Sequence, residues 1–210
     1  MQDILVTYCP LCGTGMVFSA YVGRVETTFA VSGLLYNSDV LLYDRASKSL
    51  WSQVLGRAVT GLMKGAELTL LAASHTSWED WRRRYPHTLV MTTDTGHALD
   101  YEQSPYAHYR KSHRVVFPVE HQNKTVPNKK PVLGLSIEAT HKAYPFSELA
   151  KLAKPRFEDS VGTRRVTIEW NGEAKSARVL TEKGAELPSV IGYWFAWYAF
   201  HPDTEVFSVP

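Results

Sequence analysis

Hydrophobic and β-branched residues recur along this chain in short runs set apart by Gly, Asn, Asp or Pro: Ile4 to Tyr8, Met16 to Val22, Thr27 to Val31, Val40 to Tyr43, Leu68 to Ala72, Leu89 to Thr93 and Val132 to Ile137. Runs of this length with this punctuation predict strands. Two further runs, Arg165 to Trp170 and Ser176 to Leu180, flank Asn171-Gly172, a dipeptide suited to a tight hairpin turn. Helical signals are few. Ser77 ahead of Trp78-Glu79-Asp80-Trp81-Arg82 predicts a capped helix, and Phe146 to Ala153 a second, stopped by Pro155. Ser189 opens a third, Val190 to Phe200, which is apolar all round and therefore buried, with His201-Pro202 ending it. The expected fold is α+β, mainly antiparallel β in a barrel-like or sandwich-like sheet, with a few short helices and a buried aromatic C-terminal helix. His121 to Pro131 reads as a long surface loop, and no repeat of fixed period or low-complexity tract divides the chain, so one domain is expected over residues 1–210.

Composition agrees with a soluble globular domain. Of 210 residues, 44% are hydrophobic and 21% charged, and a chain of this length buries about 70% of its unfolded surface without help from disulfides. The formal net charge of +2 is too small to imply a nucleic-acid partner, and Arg82-Arg83-Arg84 and Lys129-Lys130 read as solvated faces. The longest apolar run falls well short of the ~20 residues of a bilayer span, so no membrane span is expected. No cationic leader with a cleavage site opens the chain, and the abrupt step from Met1-Gln2-Asp3 into Ile4-Leu5-Val6 is what a trimmed or mature chain would show.

The candidate chemistry centres on Cys9-Pro10-Leu11-Cys12-Gly13, which matches the turn that presents two sulfurs to one ion in rubredoxin-like and zinc-ribbon sites. Proline fixes φ early in the turn, and glycine after the second cysteine is free to take φ > 0. Such sites usually combine two of these turns, whereas the chain has only two cysteines. A metal here, Cu, Zn or Fe, would recruit a histidine, a carboxylate or another chain. Redox cycling as a dithiol/disulfide competes with this reading, although Gly13-Thr14-Gly15 breaks the thioredoxin pattern, in which the motif opens a helix. A purely structural pair is the third reading.

Among eight histidines, none forms a closely spaced metal motif. His201 is the first choice as a partner ligand for Cys9 and Cys12, because it follows the aromatic helix; at a helix C-terminus it would equally serve to cap carbonyls. Tyr36, Asp44, Arg45 and Trp51 gather polar and aromatic groups around strand ends and are a possible pocket, with Asp44 and Arg45 as a charge pair and Trp51 as an apolar wall. Asp94-Thr95-Gly96 occurs once, is followed by His97 and reads as a turn, which removes an aspartic-protease reading. With no Gly-x-Ser-x-Gly elbow, phosphate-cradling loop or dinucleotide fingerprint, no nucleotide cofactor is expected.

Taken in order, Thr7-Tyr8-Cys9-Pro10-Leu11-Cys12-Gly13-Thr14, Ser32-Gly33-Leu34-Leu35-Tyr36-Asn37-Ser38, Tyr43-Asp44-Arg45, Leu50-Trp51-Ser52-Gln53, Ala143-Tyr144-Pro145-Phe146, and Trp194-Phe195-Ala196-Trp197 with Phe200-His201-Pro202 resemble the bacterial and archaeal domain of unknown function family 3179. The resemblance runs from residue 7 to residue 202. It implies an extracytoplasmic protein, since members often look exported or membrane-anchored, and it implies sequence before the cysteine turn that includes a Trp-His-Glu segment not found in this chain. It implies no reaction. The partner expected from the residues is a metal ion or small molecule. A non-catalytic binding module, with six tryptophans and eleven tyrosines supplying an apolar or glycan-like pocket, stands beside the metal and redox readings.

Overall fold

The computed structural model describes residues 3–209, so Met1, Gln2 and Pro210, including the very start of the abrupt N-terminus, lie outside the described residues. The first half is a succession of antiparallel hairpins: β1 Ile4–Cys9, β2 Thr14–Ser19, β3 Tyr21–Val22, β4 Val25–Glu26, β5 Phe29–Tyr36, β6 Asp39–Asp44, β7 Leu50–Ser52, β8 Arg57–Ala58 and β9 Leu70–Leu71. Two short helices follow, α1 Trp78–Arg84 and α2 Ala107–Lys111. The second half contains β10 Pro131–Ile137, β11 Thr140–Pro145, α3 Phe146–Leu149, β12 Arg156–Val161, β13 Arg164–Asn171, β14 Ser176–Thr181, β15 Glu186–Leu187, β16 Val190–Tyr193, α4 Trp194–Phe200 and β17 Glu205–Val206. The strands form open sheets in the orders β1-β2-β9, β3-β4, β5-β6-β7-β8, β16-β10-β11-β17 and β12-β13-β14-β15, with β11 and β17 the one parallel pair among the described residues. The β-rich, mainly antiparallel α+β class is therefore observed, and the sheets are layered rather than closed into a barrel.

The layering follows from β10. Its segment Val132 to Leu135 has no polar side chain and is buried at every residue, and a strand apolar on both sides needs cover on both faces. Val132 joins a core with Phe18, Leu42, Trp51, Trp194 and Trp197. Leu133 and Leu135 point the other way, into a core with Tyr144, Val166, Ile168 and Val179. The β16-β10-β11-β17 sheet is thus the middle layer. Gly134 makes the first of these contacts possible: a Cβ there would sit 2.2–2.6 Å from the Trp197 ring, so only glycine lets the indole lie on the strand.

Several expectations are corrected. The apolar segment Val190 to Phe200 is not one helix. Val190 to Tyr193 pairs with β10 in the register Val190↔Gly134 to Tyr193↔Pro131, and the helix begins at Trp194 with Tyr193 as N-cap. A free strand edge on β10 outweighs the helical reading of a β-branched and aromatic segment. Leu89 to Thr93 forms no strand; Leu89 and Met91 are 96% and 85% exposed, so the run has found no edge to pair with. The helix from Phe146 is a single turn to Leu149, continued by tight turns in which Lys151 and Leu152 donate to Glu148 and Leu149. The β13–β14 hairpin exists, but Asn171 pairs with Ser176, leaving a four-residue loop whose left-handed residue is Lys175, φ 49°. The Asn171 carboxamide closes that loop by accepting from the Ala174 amide at 3.0 Å. Ser77 caps α1 as expected, accepting from Asp80 N at 3.2 Å.

Candidate metal centre

The cysteine turn is the β1–β2 hairpin. Cys9 and Thr14 are register partners, and the four residues between them close on a 2.8 Å hydrogen bond from Gly13 N to Cys9 O. Gly13 stands at φ 64°, the conformation that glycine was expected to supply. Alternation along β1 turns Thr7 and Cys9 inward while Ile4, Val6 and Tyr8 remain exposed. Both cysteines are free thiols and fully buried, at 1% and 0% exposure.

A second hairpin brings the third group. Tyr36 and Asp39 pair across a two-residue turn, Asn37-Ser38, with φ of 50° and 65°. Positive φ at both central residues is the type I′ turn that matches strand twist, and Asn is among the residues that adopt it readily. This turn sets Asp39 under the sulfurs. One ligand atom from each of Cys9, Cys12 and Asp39 lies within 4.8 Å of the other two. Asp39 has no exposed surface; its Oδ2 accepts from Val54 N at 3.0 Å, while Oδ1 has no hydrogen-bond partner among the described residues. Cys12 Sγ lies 3.3 Å from Ser38 O, which with the Cys9 sulfur is one of two acceptors within reach of its single proton.

Below the cluster, a buried polar network holds the two hairpin strands in register. Thr14 Oγ1 donates to Gln53 Oε1 at 2.7 Å, Gln53 Nε2 donates to Thr7 Oγ1 at 2.8 Å, and Thr7 Oγ1 donates to Met16 O at 3.0 Å. Above it, Phe195 and Ala196 of α4 pack on the cysteines, together with Val115 and Val119 of the long connection before β10. That connection is pinned over the site: Ser38 Oγ donates to Phe117 O at 2.8 Å, Glu120 N to Asn37 Oδ1 at 2.8 Å, and Tyr109 Oη to Leu11 O at 3.1 Å.

Three acidic groups in one dry space cannot all carry charge, and their proton affinities divide accordingly. A hydrogen bond from the Cys12 thiol, outweighing burial, brings the Cys9 thiol down to about 6. Its hydrogen bond to Cys9, then burial and the Asp39 charge, push Cys12 well up. Burial first, and the Cys9 charge second, push the Asp39 carboxyl well above the carboxylate range.

His201 stands elsewhere. It follows α4 and lies 4.1 Å, ring centre to ring centre, from both Trp197 and His141, tilted against each. Tyr36 and Asp44 are at opposite ends of the β5–β6 hairpin. Trp51 is wholly buried in the first core and its Nε1 donates to Asp44 Oδ2 at 3.1 Å. Against burial, hydrogen bonds from Ser47 and Trp51 hold the Asp44 carboxyl below its ordinary range. Arg45 is exposed, and no Asp44–Arg45 ion pair forms among the described residues. Tyr36, half-exposed, meets Phe200 edge-on at 5.5 Å. The residues that sequence reasoning missed are Asp39 and Gln53. The signal for Asp39 lay in the Asn37-Ser38 dipeptide between two apolar runs, a hairpin turn whose next residue must enter a strand.

A protein family described as a protein of unknown function, DUF3179, matches residues 1–187. No curated protein and no solved structure matches the chain.

Proposed function

The chain belongs to the DUF3179 family, whose description carries no activity, and we propose that it is a metal-binding protein in which Cys9, Cys12 and Asp39 hold one divalent ion of the zinc type. The observation that carries this reading is the buried, unpartnered Oδ1 of Asp39 in a carboxylate grouped with two buried thiols. An orphaned carboxylate oxygen in a dry site is costly unless a proton or cation meets it. Ligands about 2.0–2.3 Å from a tetrahedral zinc lie roughly 3.3–3.8 Å from one another, so the 4.8 Å cluster needs only a small contraction to close on an ion. A divalent ion would also replace the protons that the three acids otherwise compete for. The mixed sulfur and oxygen donor set favours zinc or ferrous iron over Cu(I), which prefers sulfur alone. Three protein ligands leave a fourth position, the donor count of zinc sites that polarise a bound water or substrate.

Metal analysis of protein purified without chelator and reconstituted with zinc tests the proposal. Close to one equivalent is expected in the wild type and none in the Cys9→Ser, Cys12→Ser variant. Equal, sub-stoichiometric zinc in both proteins would sink it. The burial of both sulfurs argues against exchange with a bulky thiol substrate, because the attacking group has no path to them. Titration in denaturant and chelator that finds two thiols both before and after the native protein meets a mild oxidant would agree with that reading.

A further inference from the structure

A cleft of about 770 Å³ lies on the side of α4 away from the cysteines, where the β16-β10-β11-β17 sheet meets the β8 and β9 segments. That is within the range of small-molecule sites, which are typically about 300–1,000 Å³ with an apolar lining and a few convergent polar groups. Its floor is aromatic. The Trp197 indole, held down on Gly134, meets His201 at 4.1 Å with the rings tilted by 41°, His201 meets His141 at 4.1 Å and 35°, and His141 lies edge-on to Trp197 at 6.4 Å. His141 and Ser136 face each other across β10 and β11, with Ser136 Oγ and His141 Nδ1 2.8 Å apart.

Polar atoms in the cleft lack protein partners. Among the described residues, neither His141 Nε2 nor either ring nitrogen of His201 takes part in a hydrogen bond with the protein, yet each is too open to solvent to count as a buried orphan. Charge narrows the ligand class. Arg57 and Arg164 line the cleft, and so do Glu67 and Glu138, so the fixed charges cancel; Arg57 and Glu67 are neighbours across a β-bridge. Burial and the neighbouring His141 hold the His201 imidazole down to about 4, so it is uncharged at neutral pH. The cleft therefore offers ring faces and the uncharged nitrogens of His201, and the fixed charges along its wall sum to zero.

We propose that this cleft is a second binding site, separate from the sulfur cluster, for a small uncharged aromatic molecule bearing a hydroxyl or ring N–H. Its ring packs against the Trp197–His201–His141 cluster, in the offset or edge-on geometries that aromatic pairs prefer. Its polar group meets the free imidazole nitrogens and the Ser136 hydroxyl, which together give direction to an otherwise apolar contact.

The test is a titration of the full chain, labelled with ¹⁵N at histidine, followed by the ring resonances of His141 and His201. Four probes separate the contributions: phenol, benzoate, benzylamine and cyclohexanol. Phenol is expected to shift both histidines saturably, with half-saturation at or below about 1 mM, an affinity within the ligand-efficiency ceiling for a seven-atom probe. Benzoate and benzylamine should bind at least about tenfold more weakly, because an unpaired ion must be desolvated. Cyclohexanol should give no saturable shift. Ser136→Val, at an exposed position that leaves the core alone, should weaken phenol by about tenfold, the cost of one lost directed hydrogen bond. A linear response to phenol up to about 10 mM, equal saturation by cyclohexanol, or tighter binding of either ion than of phenol would each overturn the proposal. The wild-type titration decides these outcomes without any variant having to fold.

Discussion

Asp39 is the residue on which the proposed metal site turns, because its two oxygens live in different circumstances: one accepts from Val54 N and the other has no partner among the described residues. Replacing it with Asn keeps the shape and removes the charge. Asp39→Asn is expected to lower zinc affinity by about 10–100-fold or more, read by competition with a chromophoric chelator, while leaving the unfolding midpoint of the metal-free protein unchanged or raised. A lowered metal-free midpoint with unchanged zinc affinity would assign Asp39 to structure alone. Gln53 acts in the opposite way. It is wholly buried and satisfies Thr7 and Thr14 at once, so Gln53→Leu strands the Thr14 hydroxyl, takes the donor from Thr7, which keeps its own bond to Met16 O, and should cost about 2–3 kcal/mol in urea denaturation. Trp51→Phe loses the bond to buried Asp44 and should cost about 1–3 kcal/mol by the same measurement.

At the scale of elements, the closest packing is between β10 and α4, and Gly134→Ala tests it. The added methyl would overlap the Trp197 ring, and since neither a middle-layer strand nor a core indole has room to retreat, a loss of about 3 kcal/mol or more is expected. Equilibrium denaturation would show it, together with a change in tryptophan fluorescence. The hairpins were largely legible from sequence, because alternation and turn residues are local signals: the strands around Cys9, Val40 and Val132 fall where the pattern puts them. What failed was what depends on a partner. Val190 to Tyr193 became a strand because β10 had an open edge, and Leu89 to Thr93 remained unpaired because none was available. The site divides in the same way. The sulfur turn is written in five adjacent residues, whereas Asp39 and Gln53 reach it through the packing of one sheet against another, between segments far apart in sequence. His201 was drawn from its neighbours in sequence, and its neighbours in space are Trp197 and His141.

For the whole molecule, acid is the condition most informative about the layered arrangement. His201 is held down to about 4 from an ordinary value of 6.5, so it stays neutral in the folded chain at pH values where the unfolded chain binds a proton. The stability it represents is full above about pH 6.5 and is lost as pH falls towards 4, amounting to about 2 kcal/mol once its partial exposure is discounted. His141 and Asp203 act on it directly, and Arg57, Glu67, Glu138 and Arg164 share its cleft. Urea midpoints at pH 7 and pH 4.5 should converge for wild type and His201→Gln as the pH drops; a difference independent of pH would sink this assignment. Finally, α4 is only seven residues long, roughly 10 Å of helix. One side, through Phe195 and Ala196, lies on the thiols, and the other presents Trp197 and Phe200 to the cleft. So short a rod has no interior hinge, which makes it the element through which two occupants, zinc on one side and phenol on the other, would be coupled. Thermodynamic reciprocity then sets the terms: whatever factor zinc loading imposes on phenol affinity, phenol must impose on zinc affinity. Two titrations, each with and without the other ligand, would make this helix a measurable lever between two occupants that never touch.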